Sequence, residues 1–208
     1  PRMSTRLRSP EITASISNVD PAVGPQQQLA HPDHIAHSER LVRKLYQVRD
    51  NVWCMVGNGL SNQTFVEGPE GLICIDTGEC VEEMREALDE VRKFTAAPVV
   101  ACLYTHFHYV NGTTALLSEM KDAGNAESLP VYGHSRIAGN IARYGGEVGP
   151  RIMRGLVHQF AISMPTEGAD GLVNVGLGRF FRNTDHAPFT HGHLPVTHSF
   201  DETLKADI

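Results

Sequence analysis

The sequence predicts an α/β fold, a β-sheet covered by helices, on three observations. Short apolar runs separated by turn formers fill residues 52 to 75, an amphipathic segment runs from Val81 to Phe94, and an apolar, β-branched run follows from Val99 to Tyr104. A strand, a helix and a second strand in that order imply a parallel crossover, which sets the ends of the two strands side by side.

The elements follow in chain order. Residues 1–34 are rich in Pro, Ser, Gln and Arg without sustained periodicity, and they read as an extended arm; residues 35–208 read as one domain. From His34 to Val48 the residues Ile35, Leu41, Val42, Leu45 and Tyr46 fall near helical spacing and predict a helix. Val52–Val56, Thr64–Glu67 and Leu72–Ile75 predict a β-meander, broken at Gly57-Asn58-Gly59 and Gly68-Pro69. Between Val81 and Phe94, Met84, Leu88 and Val91 recur on one face and charged residues fill the other. Thr114–Lys121 predicts the next helix, Val131–Gly133 a short strand and Ser135–Tyr144 a further helix. Beyond Gly145 the chain turns Gly- and Pro-rich, and Pro165–Pro195 reads as a long loop, a length that points to a functional cover or an interaction segment.

Composition narrows the function. With 208 residues and 41% hydrophobic content the chain can bury a core. A net charge of -6, a pI near 6.0 and no basic stripe exclude a nucleic-acid surface, which needs clustered Lys and Arg. No apolar stretch approaches the about 18 residues of a membrane helix. Cys54, Cys74, Cys80 and Cys102 form no CxxC pair and read as buried thiols in preference to a disulfide or a thiolate metal site. That usage predicts a reducing, cytoplasmic setting. The start at Pro1 keeps a trimmed leader, and with it a periplasmic or secreted location, as the alternative.

The central chemical signal is Tyr104-Thr105-His106-Phe107-His108-Tyr109-Val110-Asn111-Gly112, where a buried strand gives way to the next helix. Two histidines one residue apart at a strand end can turn both imidazoles into one opening and hold one zinc at about 2.0–2.1 Å per nitrogen. An HxH pair alone is a weak motif in a chain with 11 histidines. His134 ends another predicted strand; it could approach the same opening, and otherwise it is a partly buried structural histidine. His186, His191, His193 and His198 form a second group in the loop whose spacing could hold a transition metal. His31, His34 and His37 read as part of the solvated arm.

The context of the pair carries a resemblance. Asn58-Gly59-Leu60-Ser61-Asn62, the apolar pair of strands from Phe65 to Ile75, the turn Asp76-Thr77-Gly78 and the HxH strand end together resemble the metallo-β-lactamase superfamily. There, a strand ending in an Asp-containing turn precedes a helix, a strand and an HxHxDH motif. Within it, the Gly-Leu-Ser-Asn turn, Tyr-Thr-His-Phe-His, and Gly149-Pro150-Arg151 followed by Gly176-Leu177-Gly178 are similar to the zinc-dependent alkyl sulfatases.

The resemblance implies the front half of a four-layer αββα sandwich holding one or two zinc ions, and hydrolysis of a small sulfate ester by a metal-activated water. His106 and His108 would be metal ligands. Asp76 would orient a ligand or brace its turn, with a helix N-cap as the alternative. Asn62 and Arg151 would face the sulfate, against readings as a turn asparagine and a surface ion pair. Val110 and Asn111 stand where the family has Asp and His; valine coordinates nothing and asparagine is a poor donor, so a second zinc is in doubt. The family's remaining ligands come from a later half of the domain, which nothing in this sequence resembles. Half a sandwich leaves an apolar sheet face uncovered, which predicts that the chain is a fragment of a longer protein or that a homo-oligomer or a partner chain completes the core. Two rival readings stand beside the sulfatase: a non-catalytic relative that binds or assembles, and a thioester or lactone hydrolase of the same fold.

Overall fold

The computed structural model describes residues 19–124 and 128–208; the first 18 residues of the predicted arm lie outside them. The described residues divide into two compact units, one of residues 19–39 with 164–173 and one drawn from residues 40–163 with 174–208.

In the first unit β1 (Ala22–Val23) pairs antiparallel with β2 (Leu29–Ala30). The Gln28 amide anchors this hairpin by donating to the Thr166 carbonyl at 2.8 Å. α1 (Pro32–Ser38) starts on His31, whose ring accepts from the Asp33 N–H at 3.2 Å, and Pro32 occupies the first helical position, where its missing N–H costs nothing. Residues 19–34 of the predicted arm thus hold a hairpin and the start of a helix.

The second unit is built on a seven-stranded mixed sheet. β3 (Lys44–Arg49), β4 (Val52–Val56), β5 (Gln63–Glu67) and β6 (Leu72–Ile75) form the antiparallel meander; β7 (Val99–Leu103), β8 (Val131–His134) and β9 (His198–Phe200) extend it in parallel, in the order β3 to β9. The helix predicted over His34–Val48 is corrected here, because α1 ends at Ser38 and Lys44 onward is an edge strand. Spacing near Leu41–Tyr46 fits a helix, but pairing with β4, from Lys44 opposite Val56 to Gln47 opposite Trp53, decides the outcome.

Alternation sorts the strands by face. Trp53 and Met55, Gln63 and Phe65, and Leu72 and Cys74 are buried under α2 (Val81–Val91) and α3 (Thr113–Asp122), while Val52, Cys54, Val66, Ile73 and Ile75 on the opposite face are only half-buried. α2 presents Val81, Met84, Ala87, Leu88 and Val91 to the core at helical spacing. One acid departs from the predicted outer face: Glu83 is 2% exposed.

α4 (Ile137–Gly145) follows β8, and α5 (Gly149–Gln159) occupies a stretch that the sequence reading left without a helix. Pro150 sits in the first turn of α5, where proline is compatible with a helix. Residues 174–197 hold only a 3-10 turn at Thr184–His186, in keeping with the predicted loop. All four cysteines are free; Cys74, Cys80 and Cys102 are buried and Cys54 is half-buried. Among the described residues no helix is long and apolar enough to cross a membrane.

Two measurements check this packing. Phe65 has no exposed surface, and Phe65→Ala is expected to lower unfolding free energy by about 3–5 kcal/mol in urea melts. Burial raises the Cys74 and Cys102 thiols well above the ordinary thiol range. Peptide mapping after brief alkylation of the native protein should therefore find both unlabelled, and rapid labelling of either would contradict the core described.

Candidate functional site

Because β6 and β7 run parallel with Ile75 opposite Leu103, their C-terminal ends leave the sheet at the same edge. Crevices outside the carboxyl ends of parallel strands are the usual ligand sites of α/β sheets. The two turns that follow are tied together by backbone bonds. Asp76 N–H donates to Leu103 at 2.9 Å, Thr77 N–H to Tyr109 at 2.8 Å, and Asn111 N–H to Gly78 at 3.1 Å. Asp76 itself has φ 57°, a left-handed conformation that aspartate tolerates better than most residues.

The Asp76 carboxylate is used on both oxygens, and by one residue. Oδ1 accepts from the Thr105 N–H at 2.9 Å and Oδ2 from the Thr105 hydroxyl at 2.6 Å. Burial raises the Asp76 pKa, while the two Thr105 bonds and the neighbouring His106 oppose the rise. The same hydroxyl oxygen lies 2.9 Å from His106 Nδ1. With Asp76 ionised, the hydroxyl proton is committed to the carboxylate, so Thr105 Oγ1 accepts from His106. Nδ1 then carries the ring proton, and the Nε2 lone pair is left free to bind a cation. Asp76 does not cap α2, which starts on Cys80.

His106 and His108 lie with ring centres 5.0 Å apart, edge to face. Phe107 and Tyr144 flank His108 at 4.1 and 5.0 Å, and Tyr109 stands 5.2 Å from His106. Burial, helped by His106, lowers the His108 pKa and favours the neutral ring that a metal needs. Burial raises the Tyr109 pKa, and the carboxylates of Glu79, Glu83 and Asp76 add to the rise.

The residues present fit one cation and do not fit a second. The two imidazoles, edge to face with centres 5.0 Å apart, stand close enough to share a zinc-type ion. Val110 is 2% exposed and packs into the core. Asn111 is fixed through its backbone, which donates to Gly78 and accepts from Gly192 at 2.7 Å. Among the described residues no third imidazole, thiol or carboxylate joins His106 and His108. The group of three such side chains, with donor atoms all within 4.8 Å of one another, is Cys80, Glu83 and His186.

The other predicted residues are dispersed. Both nitrogens of His134 are engaged, Nδ1 accepting from the Arg136 N–H at 3.0 Å and Nε2 lying 2.9 Å from the Asp201 carbonyl. Asn62 is exposed in the turn after β4, and Arg151 is exposed in the first turn of α5. The loop histidines do not gather: His191 is exposed, His193 stacks near Tyr104 at 6.1 Å, His198 stacks on Tyr132 at 4.6 Å, and His186 is buried against Glu86 at 2.8 Å. Sequence reasoning missed Thr105 as the link to Asp76, and it missed the Cys80–Glu83–His186 group. A Cys and a Glu three apart at a helix start was a legible hint of a shared face; the arrival of His186 from a hundred residues away was not.

No protein-family model matches the chain. It is 35% identical over 115 residues to a linear primary-alkylsulfatase of a Pseudomonas species, covering 54% of this chain and 21% of that protein. It is 30% identical over 162 residues to an (R)-specific secondary-alkylsulfatase of Pseudomonas, covering 76% of this chain and 22% of that protein. Among solved structures it is similar to the stereoselective inverting sec-alkylsulfatase Pisa1 of Pseudomonas, with a TM-score of 0.63 and 22% identity, over 81% of this chain and 26% of that chain. The chain spans about a fifth of the length of the curated relatives it matches. In sequence and in fold, the chain is alkylsulfatase-like.

Proposed function

We propose that the chain carries the metal-holding sheet edge of a sulfuric ester hydrolase acting on small alkyl sulfates. In this reading His106 and His108 supply two donors to one zinc-type cation, and the remaining donors lie outside the described residues. The observation that carries it is the chain Asp76, Thr105, His106, joined by contacts of 2.6 and 2.9 Å, because it sets the tautomer that leaves an imidazole lone pair for a metal. A bound cation supplies a Lewis acid for the ester and lowers the pKa of a water toward neutrality.

The chain's own groups do the rest. Thr105 orients the His106 ring, and Asp76 holds Thr105, so both act as positioning residues. Phe107, Tyr109 and Tyr144 surround the imidazoles with apolar ring surface that suits an alkyl group and limits water. The half-buried sheet face of Val52, Cys54, Val66, Ile73 and Ile75 is assigned to a second layer that completes the sandwich, from further sequence or from another chain.

Val110 and Asn111 favour a second reading, a relative that keeps the fold for binding and has lost turnover. Metal analysis of the intact protein, together with a panel of medium-chain alkyl sulfates, thioesters and lactones, separates the readings. Turnover of alkyl sulfates that disappears in both His106→Ala and His108→Ala, with one fewer bound cation than in the unaltered protein, is the expected result. An unchanged cation count in these variants and no turnover supports the binding role, whereas turnover confined to thioesters or lactones replaces the sulfatase assignment.

The positioning role has its own readout. Thr105→Val should weaken cation affinity about 10–100-fold in a chelator competition, and Thr105→Ser should restore it. Unchanged affinity in Thr105→Val would remove the Asp76–Thr105 relay from the site.

A further inference from the structure

Cys80 is the N-cap residue of α2, and Glu83 lies in the helix's first turn, three residues on. His186 reaches them from the 174–197 segment, bringing a thiol sulfur, a carboxylate oxygen and an imidazole nitrogen within 4.8 Å of one another. The three residues are 1%, 2% and 4% exposed. Glu83 is closely walled: a methyl group at Gly59 or Gly78 would overlap its carboxylate, so both glycines are required by the approach.

The surroundings are rich in acceptors and short of donors. Glu83 receives the Glu79 N–H at 2.9 Å and the Gln63 amide at 2.8 Å, and its carbonyl receives the Asn58 amide at 2.8 Å. The other atom of each amide, Gln63 Oε1 and Asn58 Oδ1, is buried without a hydrogen-bond partner. The nearby guanidinium groups are engaged with other carboxylates, Arg43 with Glu86 and Arg182 with Glu79. A buried carboxylate beside unpaired amide oxygens is costly unless a positive charge meets it.

We propose that Cys80, Glu83 and His186 form a structural site for one divalent cation of the zinc class, separate from the His106–His108 pair, which fastens the 174–197 segment to the start of α2. Zinc bonds of about 2.0–2.3 Å in a tetrahedron set donors about 3.3–3.8 Å apart, so the three groups need to close by no more than about 1.5 Å. A sulfur–nitrogen–oxygen set selects zinc or cobalt over magnesium and calcium, which take oxygen alone. Binding is ligation without redox: the thiol proton passes to solvent, and the thiolate, carboxylate and imidazole lone pairs go to the metal. Glu86 Oε2, 2.8 Å from His186 Nε2, makes the carboxylate–imidazole contact that orients metal-bound histidines. The inference does not rest on hydrolase activity.

Cobalt(II) titration of the reduced protein, followed by absorption, tests it. The expected result is a thiolate-to-cobalt charge-transfer band in the near ultraviolet that saturates at one equivalent. The band should persist when His106 and His108 are both replaced by Ala, and vanish in Cys80→Ser and in His186→Ala. Glu86→Gln should keep the band with affinity lowered about 10–100-fold. A measurement on the unaltered protein covers the case in which variants fail to fold: equimolar zinc should slow proteolytic cleavage within residues 174–197 at least about tenfold. Absence of a thiolate band on cobalt loading, a band that survives Cys80→Ser, or cleavage within residues 174–197 unaffected by zinc overturns the proposal.

Discussion

The parallel pairing of β6 with β7 is the constraint from which the rest of the candidate site follows. Once Ile75 stands opposite Leu103, the turn after each strand must occupy the same small space above the sheet edge. The two turns meet that demand by exchanging backbone hydrogen bonds, to which the Asp76 carboxylate adds two bonds from Thr105. Gly112 marks the tightest point, because any side chain there would run into the Thr77 carbonyl and the Met84 side chain. His106 and His108 therefore sit in a loop yet are held by a rigid frame of strand ends and helix starts, the arrangement a preorganised binding site needs.

Two buried acids flank that frame and are stabilised in different ways. Asp76 is 8% exposed and receives an N–H and a hydroxyl, both from Thr105, so its charge is met locally and passed on to His106 as orientation. Glu83 is buried more deeply and shares its neighbourhood with amide oxygens that have no donor. Burial raises the pKa of both acids, but only Asp76 has a hydroxyl to offset it, while Glu83 relies on two N–H donors and the nearby imidazole of His186. The first acid completes a site that is exposed to solvent; the second stands in one that is closed.

Much of the α/β pattern was legible because it rests on local periodicity. The alternation of Trp53, Met55, Phe65, Leu72 and Cys74, and the Met84–Leu88–Val91 stripe, each follow from burying one face. The elements that were not legible depend on partners far along the chain. β3 carries apolar residues at a spacing that suits a helix as well, and only its pairing with β4 settles the matter. β9 has three residues and exists because Tyr132 and His134 lie beside it. α5 was hidden in a Gly- and Pro-rich stretch, although its proline is harmless in the first turn. At the candidate site the HxH pair and Asp76 were visible, but the hydroxyl joining them was not, since a threonine beside a histidine carries no signal until the Asp76 turn is placed beneath it.

The replacement at position 110 bears on how such a site can change without losing its frame. The Val110 backbone bridges to Gly78, and its carbonyl accepts the Thr113 hydroxyl at 2.7 Å, which in turn lies 2.5 Å from the Tyr104 hydroxyl. These bonds belong to the backbone and to neighbours, so they do not depend on the side chain at 110. That side chain is 2% exposed among apolar groups, where a carboxylate would cost several kcal/mol unless a cation stood beside it. Valine removes this cost and adds apolar contact, which makes the altered motif easier to fold in the absence of metal than a motif with an acid at that position. A valine supplies no donor, but the bonded pair of turns that presents His106 and His108 is kept, because none of its bonds runs through the side chain at 110.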